Sequence, residues 1–400
     1  MLIGIVGKPS CGKSTFFKAA TLADVAIASY PFTTIKPNRG VGFVRVACVD
    51  KEFKVQCNPR SGFCISGTRF VPVDLIDVAG LVPGAHEGKG LGNQFLNDLN
   101  QADIFIHIID CAGATNEKGE ALPAGSYDPV NDVKFLEEEL DLWYLDIIKR
   151  HWEKISRLVE QTKVKVEEQI EKQLTAFKVT LPMIEEVLAE LKVNKEKPSA
   201  WKEEELKALA VALRRRTKPI IIACNKMDLE PAEKNFARLQ KEFPDYKFVA
   251  CASDSEVALR GAAKAGLIKY TPGNSDFEII VEEKINSQQT SALNFIRDNV
   301  LKKFSSTGVQ QCLDAAVFDF LKYIAIFPGG VGKLSDSQGR VLPDCFLMPP
   351  GSTALDFAFK IHTDFGKNFL YAVNVKTKMK ISGEQKLKNR DVVEIISAVK

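Results

Sequence analysis

Leu2-Ile3-Gly4-Ile5-Val6-Gly7-Lys8-Pro9-Ser10-Cys11-Gly12-Lys13-Ser14-Thr15 is the stretch that decides the fold. Leu2–Val6 is a short apolar run, and Gly7, Gly12, Lys13 and Ser14 fit G-x-x-x-x-G-K-[ST], a phosphate-binding P-loop. Such a loop belongs at the carboxyl edge of a sheet, where open α/β folds bind ligands. Glycines let the backbone bend so that its N–H groups face phosphate, and the positive end of the following helix adds to the field. On this reading the cradle is Gly7, Lys8, Pro9, Ser10, Cys11, Gly12, Lys13, Ser14 and Thr15. Lys13 would reach the β/γ-phosphates and Ser14 would offer its hydroxyl to Mg²⁺. An ordinary Gly-rich turn would need neither the strand before the motif nor the helix-compatible Ser14–Thr21 after it.

Four hundred residues allow two or three domains, and apolar and charged fractions of 45% and 26% are those of a soluble globular chain. A formal net charge of +3 is too small to mark a nucleic-acid binder, so any such role needs a local patch. The chain starts directly in a strand, and no apolar run approaches the length of a bilayer span. A cytoplasmic protein without membrane contact is expected. Of nine cysteines, Cys48, Cys111, Cys224 and Cys251 sit in apolar strand-like runs and read as buried free thiols. Cys57 and Cys64 flank Asn58–Phe63 and are placed to pair or to share a metal on a loop tip, though their spacing matches no strong zinc pattern.

Residues 16–29 read as a helix, broken by Tyr30-Pro31-Phe32-Thr33-Thr34-Ile35-Lys36-Pro37-Asn38-Arg39-Gly40. Strands are expected at Val41–Val49, Arg69–Ile76 and Ile104–Asp110, the last a continuous apolar run of the doubly covered, parallel kind. Within it, His107 reads as a satisfied core residue. The texture from about Asp128 to Arg216 is charged, Gly-free and helical. Ile148, Trp152, Ile155, Val159, Thr162 and Val166 alternate in steps of four and three, with Ile170 and Leu174 continuing that side, a coiled-coil-like seam on one long helix. A second helix follows at Pro182, and a third, Ser199–Arg216, ends in Arg214-Arg215-Arg216, read as a solvated helix end ahead of an RNA contact. Strand texture returns at Pro219–Cys224 and Phe248–Cys251, and residues 253–319 look mainly helical. After Pro328-Gly329-Gly330, short strands at Asp344–Met348, Leu370–Val375 and Val392–Ile396 alternate with one helix, Thr353–Thr363.

Three further elements stand at strand ends, in the order that a Ras-like GTPase requires. In Asp77-x-x-Gly80 the carboxylate would hold Mg²⁺ through a water, and the Gly80 N–H would meet the γ-phosphate. Thr34, in the loop with two prolines, is the candidate for a second hydroxyl on the metal. In Asn225-Lys226-x-Asp228, Asp228 would accept from guanine N1–H and the exocyclic amine, a donor pair that adenine lacks. Asn225 would brace the loop, and the Lys226 stem would cover the base.

GKPSCGKST, YPFTTIKPNRG, DVAGLVPGAHEGKGLGNQFL, NKMD and the C-terminal PGSTALDFAFKIHTDFG together resemble the Obg/YchF-like branch of P-loop GTPases, and within it the archaeal YchF-related proteins. The last segment resembles a TGS domain, a small ubiquitin-like β-grasp module. The resemblance covers nearly the whole chain. It implies an α/β fold: a Ras-like P-loop G domain (1–127 and 217–319), a helical, coiled-coil-like insertion (128–216) and a C-terminal β-grasp TGS domain (320–400).

Four departures from the family pattern bear on function. Many YchF proteins carry N-x-x-E and tend to prefer ATP, whereas Asp228 argues for GTP. Ser10 stands where K⁺-stimulated relatives place Asn, which puts a K⁺ requirement in doubt. The fifth G-domain motif, usually Ser-Ala, falls on Ala252-Ser253. Ser253 N–H would still meet guanine O6, but the supporting serine hydroxyl is missing. Leu81 follows Gly80 where Ras has a water-positioning Gln, so slow hydrolysis is expected, with a polar group supplied from elsewhere. His86, the only histidine in the Gly-rich stretch, is the candidate, against a mobile loop histidine. Lys13, Thr34, Gly80 and His86 form the candidate catalytic set.

The resemblance also implies a ribosome or RNA partner, reached through the TGS domain and the helical insertion. Lys376, Lys378, Lys380, Lys386, Lys388 and Arg390, near Tyr371 and His362, would form its basic face, unless they only protect strand edges. The expected function is a GTP/GDP switch with Mg²⁺. The alternatives are an ATPase or dual-specificity NTPase, and a non-hydrolysing nucleotide-gated scaffold.

Overall fold

The structure, a computed structural model, describes residues 1–21, 39–78 and 99–398. Thr34, Gly80, Leu81 and His86 lie outside the described residues. The chain divides into two compact units, the first made of 1–17, 75–255 and 294–308 and the second of 18–74, 256–293 and 309–400.

In chain order the opening elements are β1 (Leu2–Val6), α1 (Lys13–Thr21), β2 (Arg39–Ala47), β3 (Phe63–Ile65), β4 (Thr68–Asp77) and β5 (Ile104–Asp110). The helical stretch contributes α2 (Val130–Lys149), α3 (Trp152–Thr162), α4 (Val166–Leu174), α5 (Leu181–Leu191) and α6 (Glu203–Thr217). There follow β6 (Ile220–Asn225), α7 (Glu230–Glu242), β7 (Lys247–Ala250), α8 (Ser253–Lys264), the two-residue strands β8 (Ile268–Lys269) and β9 (Glu278–Ile279), α9 (Ser287–Ile296) and α10 (Val309–Asp314).

In the first unit the sheet runs from the end of β4 through β1, β5 and β6 to β7. β1, β5, β6 and β7 are parallel, with Ile3 opposite Ile104, Phe105 opposite Ile220 and Ile222 opposite Phe248. Every residue of β1, β5 and β6 is buried, as expected of strands covered on both faces. His107 is among them. Its imidazole is lowered to about 3, mainly by burial and further by the Lys8 charge, so it is neutral at working pH.

The helical stretch departs from a single long helix. α3 stops at Lys163 and α4 starts at Val166. Ile148, Trp152, Ile155, Val159, Val166, Ile170 and Leu174 are buried in one core, but Thr162 is exposed. Short helices therefore present the apolar residues one segment at a time, and the heptad spacing runs across their breaks. With no glycine available, turns fall on left-handed lysines, Lys163 (φ 56°), Lys178 (φ 59°) and Lys192 (φ 53°). Each carries roughly 1 kcal/mol of backbone cost that a glycine would avoid.

The triple arginine is also corrected. Arg214 is buried, with Nε 2.7 Å from Asp141 Oδ1 and Nη2 3.2 Å from Glu137 Oε1. Arg215 reaches the same Glu137 at 2.8 Å, and Arg216 pairs with Glu190 at 2.7 Å. These side chains tie α6 to α2 and α5: Arg214 is withdrawn from solvent, whereas Arg215 stays exposed and Arg216 half-buried.

In the second unit, β2 and β3 flank β4, and α10 is fastened to β2 by Arg45 Nε to Asp314 Oδ2 at 2.7 Å and by Gln310 Nε2 to Phe43 O at 2.8 Å. A five-stranded sheet follows, formed by β10 (Ile324–Pro328), β11 (Phe346–Met348), β12 (Phe369–Asn374), β13 (Lys380–Ile381) and β14 (Val392–Ser397), in the order β11-β10-β14-β12-β13. Helix α11 (Ala354–Ile361) packs Phe357 into a core with Ile326, Met348, Ala372 and Val393. Thr353 starts it with a capping box, its hydroxyl accepting from Asp356 N while Asp356 accepts from Thr353 N. Strand β10, unassigned by the sequence reading, lies inside this sheet, parallel to β14. Among the described residues, no helix is long and apolar enough to cross a membrane.

Removing one partner of a buried ion pair strands the other charge. Arg214→Ala is therefore expected to cost about 3–5 kcal/mol in denaturant unfolding. The more exposed Arg216→Ala should cost less than about 1 kcal/mol. Equal losses would contradict the structural assignment of Arg214.

Candidate functional site

β1 ends at Val6, and the backbone turns at once through the motif. Ser10 and Gly12 both take positive φ, 59° and 96°, and a side-chain carbon on Gly12 would lie 2.1 Å from Asn225 Nδ2. Only glycine fits that position. Phe16 N–H donates to Gly12 O at 2.8 Å, so α1 grows directly out of the loop. Pro9, Ser10 and Ser14 are exposed and Thr15 is half-buried. Cys11 is buried, and burial pushes its thiol up to about 11, which leaves it unreactive.

The two lysines of the loop serve different ends. Lys13 Nζ donates to Val78 O at 2.9 Å and lies 3.8 Å from Asp77 Oδ1. Asp77 Oδ1 is buried and accepts no hydrogen bond among the described residues. Burial raises the Asp77 pKa, and Lys13 opposes that rise. An orphaned carboxylate oxygen and the Ser14 hydroxyl are hard donors of the kind Mg²⁺ takes, so these residues fit that ion. Lys8 instead turns back into the protein. Its Nζ is 2.9 Å from both Asp132 Oδ2 and Thr115 O, and lies over the Tyr127 ring at 3.7 Å. Lys8 thus leaves only its backbone to the cradle. Burial raises the Asp132 pKa to about 6, with Lys8 restraining it.

The strand ends beside the loop carry the rest. Asn225 is buried; its Nδ2 donates to Cys11 O at 3.0 Å, and its Oδ1 accepts from Ser253 N at 3.1 Å and Ser253 Oγ at 2.9 Å. Ser253 thus brings a serine hydroxyl to Asn225, and its N–H bonds the same side chain. Ala252 N–H is likewise engaged, by Thr307 O at 2.9 Å. Lys226 is left-handed (φ 63°), and its Nζ binds Asp110 Oδ2 at 2.8 Å. Asp228 is half-buried, and burial raises its pKa.

Gly7–Thr15, Asp77, Asn225–Asp228 and Ala252-Ser253 thus all belong to the first unit, at the ends of β1, β4, β6 and β7. The sequence reading missed two buried acids. Asp110, closing β5, accepts from Thr115 Oγ1 at 2.7 Å as well as from Lys226, and its place at the end of an apolar strand was a usable signal. Asp132, in the first turn of α2, carried none.

In the C-terminal module, the basic residues divide. Lys376 Nζ pairs with Glu52 at 2.7 Å, and Arg390 binds the same carboxylate and donates to Ala47 O at 2.8 Å. Lys380 stacks over Tyr371 while staying exposed, and Lys378, Lys386 and Lys388 are exposed as well.

Comparison with known families and proteins matches three family models in succession. A 50S ribosome-binding GTPase model covers residues 2–140, an Obg-like GTPase YGR210-like G4 motif-containing domain covers 223–330, and a TGS domain covers 335–397. An uncharacterised GTP-binding protein of Methanocaldococcus jannaschii is 46% identical over 400 residues, the full length of both chains. A ribosome-binding ATPase YchF of Mycoplasma genitalium is 34% identical, covering 92% of this chain and 86% of that one. The crystal structure of a GTP-binding protein from Pyrococcus horikoshii superposes with a TM-score of 0.76 at 35% identity, covering all of both chains.

Asn225→Ala would leave the Cys11 carbonyl and the Ser253 donors without their side-chain partner. The expected stability loss is about 2–4 kcal/mol in denaturant unfolding, from lost bonds and stranded buried groups. A loss below about 0.5 kcal/mol, the level of ordinary surface changes, would show that the bridge is not structural.

Proposed function

The chain belongs to the Obg/YchF-like family of P-loop GTPases, and on that premise we propose that it is a GTP-dependent switch that hydrolyses GTP slowly. The observation that carries the choice of base is Asp228, a half-buried carboxylate in the loop that Asn225 braces against the P-loop. Guanine offers such an acceptor two donors; adenine offers none there and leaves a desolvated charge unpaired. The backbone of Gly7–Thr15 holds the phosphates, and Lys13 leaves Val78 O for the β/γ-phosphates. Ser14, Thr34 and Asp77 would hold Mg²⁺, which when bound neutralises charge on the β- and γ-phosphate oxygens. Thr34 and the Gly80 N–H then form the nucleotide-sensing half, which hydrolysis releases.

Leu81 cannot orient a water, and this makes turnover slow. His86 is proposed as the polar group that takes over that task. The G domain is taken as 1–127 and 217–319, the helical insertion as 128–216 and the TGS domain as 320–400. The insertion and the TGS domain would report the nucleotide state to a ribosome or RNA partner in the cytoplasm, a reading supported by the Mycoplasma relative's name. The exposed Lys378, Lys386 and Lys388 are the TGS residues left for such a contact. That relative is also named an ATPase, so ATP is the competing substrate.

Titration with GTP and ATP decides between them. Tighter GTP binding is expected, and Asp228→Asn should weaken it roughly 100-fold with ATP little changed. ATP binding as tight as GTP in the wild type would overturn the assignment. Single-turnover hydrolysis tests His86: His86→Ala should slow it on the order of 100-fold or more, the range of a positioned proton-transfer group. A rate within about twofold of wild type would remove it. Hydrolysis absent even with ribosomes would favour a nucleotide-gated scaffold.

A further inference from the structure

Away from the nucleotide loops, the second unit gathers three thiols and a carboxylate. Cys48 follows β2, Asp50 lies in the 3₁₀ turn Val49–Lys51, Cys57 follows that turn, and Cys64 is the middle residue of β3. Cys48, Asp50 and Cys57 are buried and Cys64 is half-buried, and their four ligand atoms all lie within 4.8 Å of one another. Cys48 Sγ is 3.7 Å from Cys57 Sγ, and Cys64 Sγ is 3.9 Å from Asp50 Oδ2. A disulfide would need sulfurs about 2 Å apart. A tetrahedron with zinc–sulfur bonds of about 2.3 Å has sulfur–sulfur edges of about 3.8 Å, close to what the pair shows. Asp50 is already oriented, because its other oxygen, Oδ1, accepts from Lys51 N at 2.8 Å. Such outer bonds fix metal-ligating carboxylates.

A separate observation points the same way. Arg69 is fully buried and stands opposite Cys64 in the β3–β4 register. Its Nη2 donates to Leu342 O at 2.5 Å, but Nε and Nη1 have no hydrogen-bond partner among the described residues. A buried guanidinium needs negative charge nearby, and neutral thiols give little. Three thiolates and a carboxylate around a divalent ion keep a net negative charge and supply it.

We propose that Cys48, Asp50, Cys57 and Cys64 bind one Zn²⁺ in a closed, structural site. Four protein ligands leave no open position for substrate, and soft thiolates with tetrahedral spacing select zinc over magnesium. The ion sets the shape of a loop that holds the C-terminal module. Between the ligands, Asn58 N donates to Val341 O at 2.8 Å and Arg60 N donates to Pro343 O at 2.8 Å. The Arg60 guanidinium grips Asp344 with bonds of 3.1 and 2.8 Å. Beside the cluster, Glu52 receives Lys376 and Arg390. The zinc loop and the turn beside it are thus the platform on which segment 341–344, the turn after β12 and the turn before β14 rest.

The test uses the full chain, prepared reduced and without chelator. Elemental analysis should find one zinc per chain. Replacement by Co²⁺ should give thiolate-to-metal charge transfer and the intense visible bands of tetrahedral cobalt. Cys57→Ser and Cys64→Ser should each lower affinity at least about 100-fold, beyond the usual effect of outer-shell changes. Cys345→Ser, outside the cluster, should leave it unchanged. In the wild type, chelation should speed hydrogen exchange at the amides of Asn58 and Arg60, which donate to Val341 O and Pro343 O, a readout that does not depend on any variant folding. No zinc, together with no cobalt spectrum, would overturn the proposal. So would a native disulfide among these cysteines, or cobalt bands that survive in both serine variants.

Discussion

The side-chain amide of Asn225 is the contact on which the nucleotide-binding half depends. One end donates to the carbonyl of Cys11 inside the P-loop, and the other accepts two bonds from Ser253 after the last strand of the sheet. Three loops that leave separate strands are thereby held as one surface. Glycine at position 12 is a consequence of the same contact, because the amide occupies the space that any side chain would need. The P-loop is therefore pre-shaped by residues more than two hundred positions away in the chain, and little ordering remains for a ligand to impose.

Around that surface the protein buries charge in pairs. Lys8 with Asp132, Lys226 with Asp110 and Arg214 with Asp141 each join an element at or near the nucleotide loops, or in the helical stretch, to a neighbour. Buried pairs contribute little net stability compared with apolar contacts, but they are exacting about geometry. Their use here suits a site in which loop positions matter more than the depth of the energy well.

Much of this was legible in the sequence, for identifiable reasons. The P-loop, Asp77 and Asn225–Asp228 are short motifs whose chemistry fixes both residue type and spacing, and β5 and β6 are apolar runs with no competing reading. The TGS helix announced itself through Thr353 and Asp356. What could not be read depended on distant partners. The seam Ile148–Leu174 has helical spacing throughout, and nothing local says that Lys163 will adopt a left-handed turn. Arg214 looks like any basic helix end until Asp141 and Glu137 face it across the bundle. Cys48 and Asp50 joined Cys57 and Cys64 only once strands β2 and β3 were brought beside β4. Strand β10, five residues after a helical stretch, was too short to stand out.

If Lys13 serves the phosphates and Asp77 the cation, as proposed above, their approach makes nucleotide and cation linked ligands. The ammonium group lies 3.8 Å from the carboxylate oxygen that a divalent ion would use. A phosphate that draws Lys13 away uncovers that oxygen, and an ion that takes the oxygen frees Lys13. Each ligand removes the other's competitor, so each must tighten the other by the same factor. The half-filled states, nucleotide without metal or metal without nucleotide, are the ones this arrangement disfavours.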